Sequence, residues 1–126
     1  MKTEKRQFGD FGEKIACNFL LKNGYKIIET NFNCKYGEID IICSKFFMDK
    51  NREEMFFVEV KTRSINDYIN YPENAVDYFK KIKLDRTAQI YLNKKRIKYI
   101  FYSFSCLAII VDKTNNKAKI KFFERI

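Results

Sequence analysis

The sequence predicts an α/β fold with a central mixed β-sheet flanked by helices, in the order αβββαββ. Three observations carry this. Two segments with helical periodicity, 8 to 23 and about 73 to 93, alternate with five strand-like segments. The stretch between the third and fourth strands is long enough for a parallel crossover. No repeat, low-complexity tract or Pro/Gly/Ser-rich linker divides the 126 residues, a length sufficient for a single domain (1–126) with its own core.

Each element has its own warrant. In residues 8 to 23, Ile15, Ala16, Phe19 and Leu20 recur at helical spacing, and Gly24 follows as a stop. Tyr25 to Phe32 alternate as a strand, Asn33 to Gly37 read as a turn, and 38 to 43 form the next strand. Ser44 to Met55, with Asp49, Lys50, Asn51 and Arg52, read as a hairpin-like connection to a strand over 56 to 62. Residues 63 to 73 read as an irregular loop bearing Tyr68, Tyr71 and Pro72. The second helix presents Val76, Phe79, Leu84, Ala88, Tyr91 and Leu92 as its apolar face. Tyr99 to Val111 is strongly strand-forming, 112 to 117 turn, and 118 to 123 close the chain as a strand.

Composition narrows the chemistry. There is no histidine, which excludes Ser-His-Asp and Cys-His catalysis and histidine-bound zinc within one chain. Cys17, Cys34, Cys43 and Cys106 lack any C-x-x-C spacing and read as small core side chains in a reducing compartment. With no apolar run near the roughly 18 residues of a membrane span and no hydrophobic leader, the expectation is a cytoplasmic protein without membrane contact. The net charge of +9 suits a polyanion. A Lys-rich coding bias would also raise it, so the clusters Lys80, Lys81, Lys83, Arg86 and Lys94, Lys95, Arg96, Lys98 say more than the total.

Charged residues interrupt two strands that otherwise read as buried, Glu38-Ile39-Asp40-Ile41-Ile42-Cys43 and Phe56-Phe57-Val58-Glu59-Val60-Lys61-Thr62. Side chains two apart on a strand share a face. Glu59 and Lys61 are thus expected on one face with Val58 and Val60 turned to the core, and Glu38 and Asp40 opposite Ile39 and Ile41. If the strands pair, two carboxylates meet beside an ammonium, which suits Mg²⁺ or Mn²⁺ and the hydrolysis of a phosphodiester. Asp40 and Glu59 are the candidate ligands, and Lys61 the candidate for orienting water or stabilising developing charge. Glu13 shares a helical face with Ala16, Cys17 and Leu20 and is a third candidate acid. A lone Glu-x-Lys is usually a solvated ion pair worth under about 1 kcal/mol. Three elements that each place a carboxylate against an apolar pattern are harder to dismiss.

Gly9-x-x-Gly12-Glu13 with Ala16, then Gly24-Tyr25, Asn31-Phe32, Gly37-Glu38-Ile39-Asp40-Ile41-Ile42 and Phe57-Val58-Glu59-Val60-Lys61-Thr62-Arg63, resemble the YraN-like family. Ala75-Val76, Lys80, Leu84, Ala88 and Tyr91-Leu92 extend the resemblance, which covers roughly residues 8 to 111. That family is described as uncharacterised and is placed by similarity in the restriction-endonuclease-like superfamily, near Holliday-junction resolvases. The resemblance implies that Asp40, Glu59 and Lys61 form a PD-(D/E)xK core, with Glu13 the first-helix acid and Lys80 a recurrent basic position. Phe104-Ser105 departs from it, since the family often has an aromatic residue followed by Asp there.

The expectation is a Mg²⁺- or Mn²⁺-dependent DNA endonuclease acting on branched or otherwise structured DNA. Asp40, Glu59 and the Val60 carbonyl would bind metal, Lys61 and Glu13 assist, and Arg63, Lys80, Lys81 and Lys83 contact phosphates. A homodimer would suit a domain this small that cuts two strands, although no motif encodes one. The rivals are a non-catalytic nucleic-acid-binding module and a protein-binding adaptor on the same fold.

Overall fold

The computed structural model of the protein describes residues 3–70, 78–98 and 100–126, with the side chains of all but 68–70 and 78–82. Eight elements follow in chain order: α1 (Glu4–Lys22), β1 (Lys26–Cys34), β2 (Gly37–Phe47), β3 (Arg52–Ser64), α2 (Ile65–Asn70), α3 (Tyr78–Lys94), β4 (Phe101–Asp112) and β5 (Lys117–Phe123). The strands form one sheet in the order β1-β2-β3-β4-β5. Every neighbouring pair is antiparallel except β3 and β4, which run parallel across the expected crossover. This is the α/β, restriction-endonuclease-like arrangement.

The pleat of β3 sorts the core into two layers. Phe56 and Val58 pack with Ala16 and Leu20 of α1 and with Leu107 and Ile109 of β4. Met55 and Phe57, one residue out of phase, pack with Leu84, Ala88 and Tyr91 of α3. The sheet is therefore covered on both faces, which is why its central strands read as continuous apolar runs. No described helix is long and apolar enough to cross a membrane.

Several boundaries differ from expectation. Helix α1 starts at Glu4, not 8, because Thr3 caps it: its hydroxyl accepts the Arg6 amide at 3.1 Å. Gly24 ends it as expected, at φ +87°. Strands β2 and β3 extend through most of the supposed connection, leaving only Met48 to Asn51 as the turn. Within β3 the charged Glu54 is only 3% exposed. Arg125, Arg52 and Lys50 reach its carboxylate at 3.1, 3.2 and 3.3 Å. Burial alone would raise this carboxyl, but the hydrogen bonds from Arg52 and Lys50 and the charge of Arg125 hold it below its ordinary value. Residues 65–70, expected as loop, form the short helix α2, in which Ser64 Oγ accepts the Asp67 amide at 3.2 Å. Tyr71, Pro72, Val76 and the first turn expected for the second helix lie outside the described residues, as do the side chains of Tyr68 and Phe79.

The departure at Phe104-Ser105 has a local explanation. Ser105 is fully buried opposite Val58, and its hydroxyl donates to the Glu124 carbonyl. The position ties the C-terminal segment to the sheet and takes no part in the site described below.

Candidate metal and nucleic-acid site

The site begins where the sheet divides. β2 and β3 pair from Phe47–Arg52 to Ile41–Val58, and beyond that β2 pairs only with β1 and β3 only with β4. Asp40 and Glu59 are the next residue on either side of this fork. The amide of Val60, past the last rung of the β2–β3 ladder, donates instead to Asp40 Oδ2 at 2.8 Å. A carboxylate thus takes over from a backbone carbonyl.

A kink in β1 shapes the same point. Asn31 has φ 54°, a left-handed conformation that asparagine tolerates better than most non-glycine residues. The register sets Thr30 against Ile41 and Phe32 against Ile39, so Asn31 lies opposite Asp40. Strand alternation breaks there. Ile39 packs with Phe32 and Leu84 on the α3 side, whereas Ile41 packs with Ala16 and Leu20 on the α1 side. The expectation that Ile39 and Ile41 share a face is corrected accordingly. With its amide nitrogen turned toward the carboxylates, Asn31 donates to Glu13 Oε1 at 3.3 Å and Glu38 Oε1 at 3.1 Å.

Four carboxylates therefore crowd the fork, and their charges are felt. Burial pushes the Asp40 carboxyl up to about 6, opposed by the Val60 hydrogen bond and reinforced by Glu13, Glu38 and Glu59. Burial likewise raises Glu13, against the Asn31 hydrogen bond and with the help of Asp10 and Glu38. One Glu59 oxygen, Oε2, is shut off from solvent.

The predicted residues distribute over three hollows. Asp40 and Glu59 share a cavity of about 270 Å³ with Glu38, with Lys83 and Thr87 of α3, and with Tyr36 from the β1–β2 turn. Glu59 also borders a cleft of about 670 Å³ that holds Lys61 and Arg63, together with Lys5, Asp67 and Lys113. Glu13 lines neither; it sits with Asp10, Lys14 and Cys17 along a hollow of about 700 Å³ beside α1. It reaches Asp40 through charge and through the shared Asn31 bridge to Glu38. Val60 joins the site through its amide. Lys80 and Lys81 lie on α3, but their side chains are outside the described residues. The sequence pattern places Glu38 on the face of Asp40 without assigning it a role, and a left-handed strand residue such as Asn31 leaves no periodic signal.

Helix α1 is held against the fork by a close approach. A Cβ added to Gly12 would stand 1.7 Å from Thr62 Oγ1 and 3.0 Å from Thr62 Cγ2. Thr62 is short and β-branched, so it has little room to yield. Gly12→Ala is expected to lower stability by about 1–3 kcal/mol through overpacking. Urea denaturation checks this, and Thr62→Ala in the same chain should recover part of the loss.

The donor set fits a hard divalent ion, because it consists of carboxylate oxygens with no imidazole available. Among the described residues, no three His, Cys, Asp or Glu side chains are grouped to hold an ion alone. Mg²⁺ is commonly bound by one or two carboxylates and completed by water and substrate phosphate. A cation would also relieve the repulsion that raises Asp40.

A model of the uncharacterised protein family UPF0102, the YraN family whose motifs the sequence resembles, matches residues 12–111. A family member from Clostridium tetani is 36% identical over 124 residues, 98% of this chain and 96% of its own. One from Clostridium acetobutylicum is 39% identical over 124 residues, with 98% and 96% covered. One from Caldanaerobacter subterraneus subsp. tengcongensis is 40% identical over 111 residues, with 88% and 85% covered.

Proposed function

The chain belongs to the uncharacterised protein family UPF0102, and from that premise we propose a divalent-metal-dependent endonuclease that hydrolyses phosphodiester bonds in DNA, including branched or structured DNA. The observation that carries the proposal is the fork itself. It brings Asp40 and Glu59 into one cavity, and Glu59 also borders the cleft that holds Lys61 and Arg63.

Asp40 and Glu59 would hold Mg²⁺ or Mn²⁺, with the Val60 carbonyl as a third oxygen. When bound, the ion lowers the pKa of a water and neutralises charge on the scissile phosphate. The chain does the rest. The Val60 amide fixes the Asp40 carboxylate through one oxygen. Lys61, two residues beyond Glu59, stabilises charge developing on the phosphate and positions the attacking water. Lys83 approaches the same carboxylates from α3, and Arg63, Lys5 and Lys113 line the cleft along which a phosphate backbone would lie. Glu13, through Asn31 and Glu38, keeps the fork rich in negative charge and so in need of a cation.

The test is incubation of the purified protein with labelled single-stranded, duplex, flapped and four-way-junction DNA in Mg²⁺, Mn²⁺ or EDTA. Cutting is expected with either metal, is lost in EDTA and returns with excess Mg²⁺. The ranking of substrates then names the target. Salt-sensitive binding that ignores metal, without cutting, would replace this proposal with a non-catalytic nucleic-acid module.

A further inference from the structure

Among the described residues, Tyr36 is the one aromatic lining the cavity of Asp40 and Glu59. Most of the other described tyrosines and phenylalanines pack into one of the two core layers, whereas Tyr36 belongs to neither and is 39% exposed. It sits in the two-residue connection between Cys34 and Gly37, which are paired across the β1–β2 hairpin, so its backbone is held close to the sheet. It lines the same cavity as Asp40, Glu59 and Lys83. Two cations lie over its ring: Lys35 Nζ is 5.1 Å and the Arg86 guanidinium 5.8 Å from the centroid. Core packing explains none of this.

An exposed aromatic ring among basic side chains is how proteins hold single-stranded nucleic acid: a base takes the place of a flexible cation on the ring, and the cations turn to the phosphates. In an intact duplex the faces of the bases are already stacked on one another, and only an unpaired or extruded base offers one. We infer that Tyr36 is a positioning residue that stacks on an unpaired base, while Lys35, Lys83 and Arg86 hold the adjoining phosphates. The scissile bond beside Asp40 and Glu59 is then selected next to a nucleotide that has left the helix. This rests on the nuclease reading for its last step only, because the stacking itself needs no metal.

The experiment uses the full chain in EDTA, where cutting is absent by design. The probes are a single-stranded oligonucleotide bearing one 2-aminopurine and a fully paired duplex of the same sequence. The wild type and Tyr36→Phe should bind the single strand with equal affinity and quench the fluorescent base. Tyr36→Ala should bind it about 10-fold more weakly and without quenching, yet bind the duplex as the wild type does. Thermal melting of the three proteins checks that the exposed position leaves the fold intact. Equal binding and quenching by Tyr36→Ala overturn the inference, as does a wild type that binds no single strand or a loss that is the same on duplex. Metal-dependent cutting is measured separately, so a dead nuclease that still quenches the base leaves the stacking role standing.

Discussion

Asp40→Asn is expected to abolish metal-dependent cutting while making the protein more stable at neutral pH. The first effect follows from removing a charged ligand, with a loss of at least about 100-fold in rate. The second follows from the sign of the Asp40 shift. Its carboxyl titrates at about 6 in the fold, through burial first and the neighbouring Glu13, Glu38 and Glu59 next. In the unfolded chain it titrates near the ordinary value of about 3.9. Between those two values the folded protein binds more protons than the unfolded one, so stability falls as pH rises through the window. Above about 6 the penalty is complete; below about 4 it is gone. Asparagine keeps an oxygen for the Val60 amide and sheds the charge, which is worth about 1–2 kcal/mol at pH 7.5 once the partial exposure of the group is discounted. Thermal melts of the two proteins should therefore separate at pH 7.5 and converge near pH 4. Added Mn²⁺ should raise the melting temperature of the wild type and not of the variant, since only a bound ion stabilises the fold. A variant less stable than the wild type at pH 7.5 would mean that the carboxylate's bond to Val60 outweighs the crowding.

Lys61→Ala should separate chemistry from binding. Lys61 lies in the cleft with Arg63, Lys5 and Lys113, so three other cations remain to hold a phosphate backbone when it is removed. Affinity for uncut DNA in EDTA is expected to fall only a few-fold, with the salt dependence shallower by about one phosphate contact. Cutting is expected to fall by about 10²–10³, the usual cost of losing one preorganised group that stabilises developing charge. Lys61→Arg should bind normally and recover little activity, because a planar guanidinium does not place its charge where an ammonium does. If affinity and rate fell together, Lys61 would be a backbone anchor and the role in chemistry would pass to another residue.

The parts of the molecule that could be read from the sequence are those that periodicity encodes. Ile15, Ala16, Phe19 and Leu20 announced α1, and all four pack in or against the layer beneath it. The parallel pairing of β3 with β4 followed from the length of the connection. Glu59, Lys61 and Asp40 stood out because charge interrupted an apolar run, and the fork is what makes such an interruption tolerable. Asn31 has no such signal: its left-handed backbone, opposite the point where Ile39 and Ile41 change layers, alters neither composition nor spacing. The polar run Asp49 to Arg52 resembles a long loop in one dimension, although Lys50, Arg52 and the distant Arg125 all serve the buried Glu54 carboxylate. Short α2 carried too few residues to show a period.

Glu59 borders two hollows, one opening toward Tyr36 and Lys83 and the other toward Lys61 and Arg63. A blind pocket suits a ligand that ends inside it. Two hollows that share Glu59 suit a chain longer than either of them. The two hollows differ in kind, since Tyr36 lines the one and Lys61, Arg63, Lys5 and Lys113 the other.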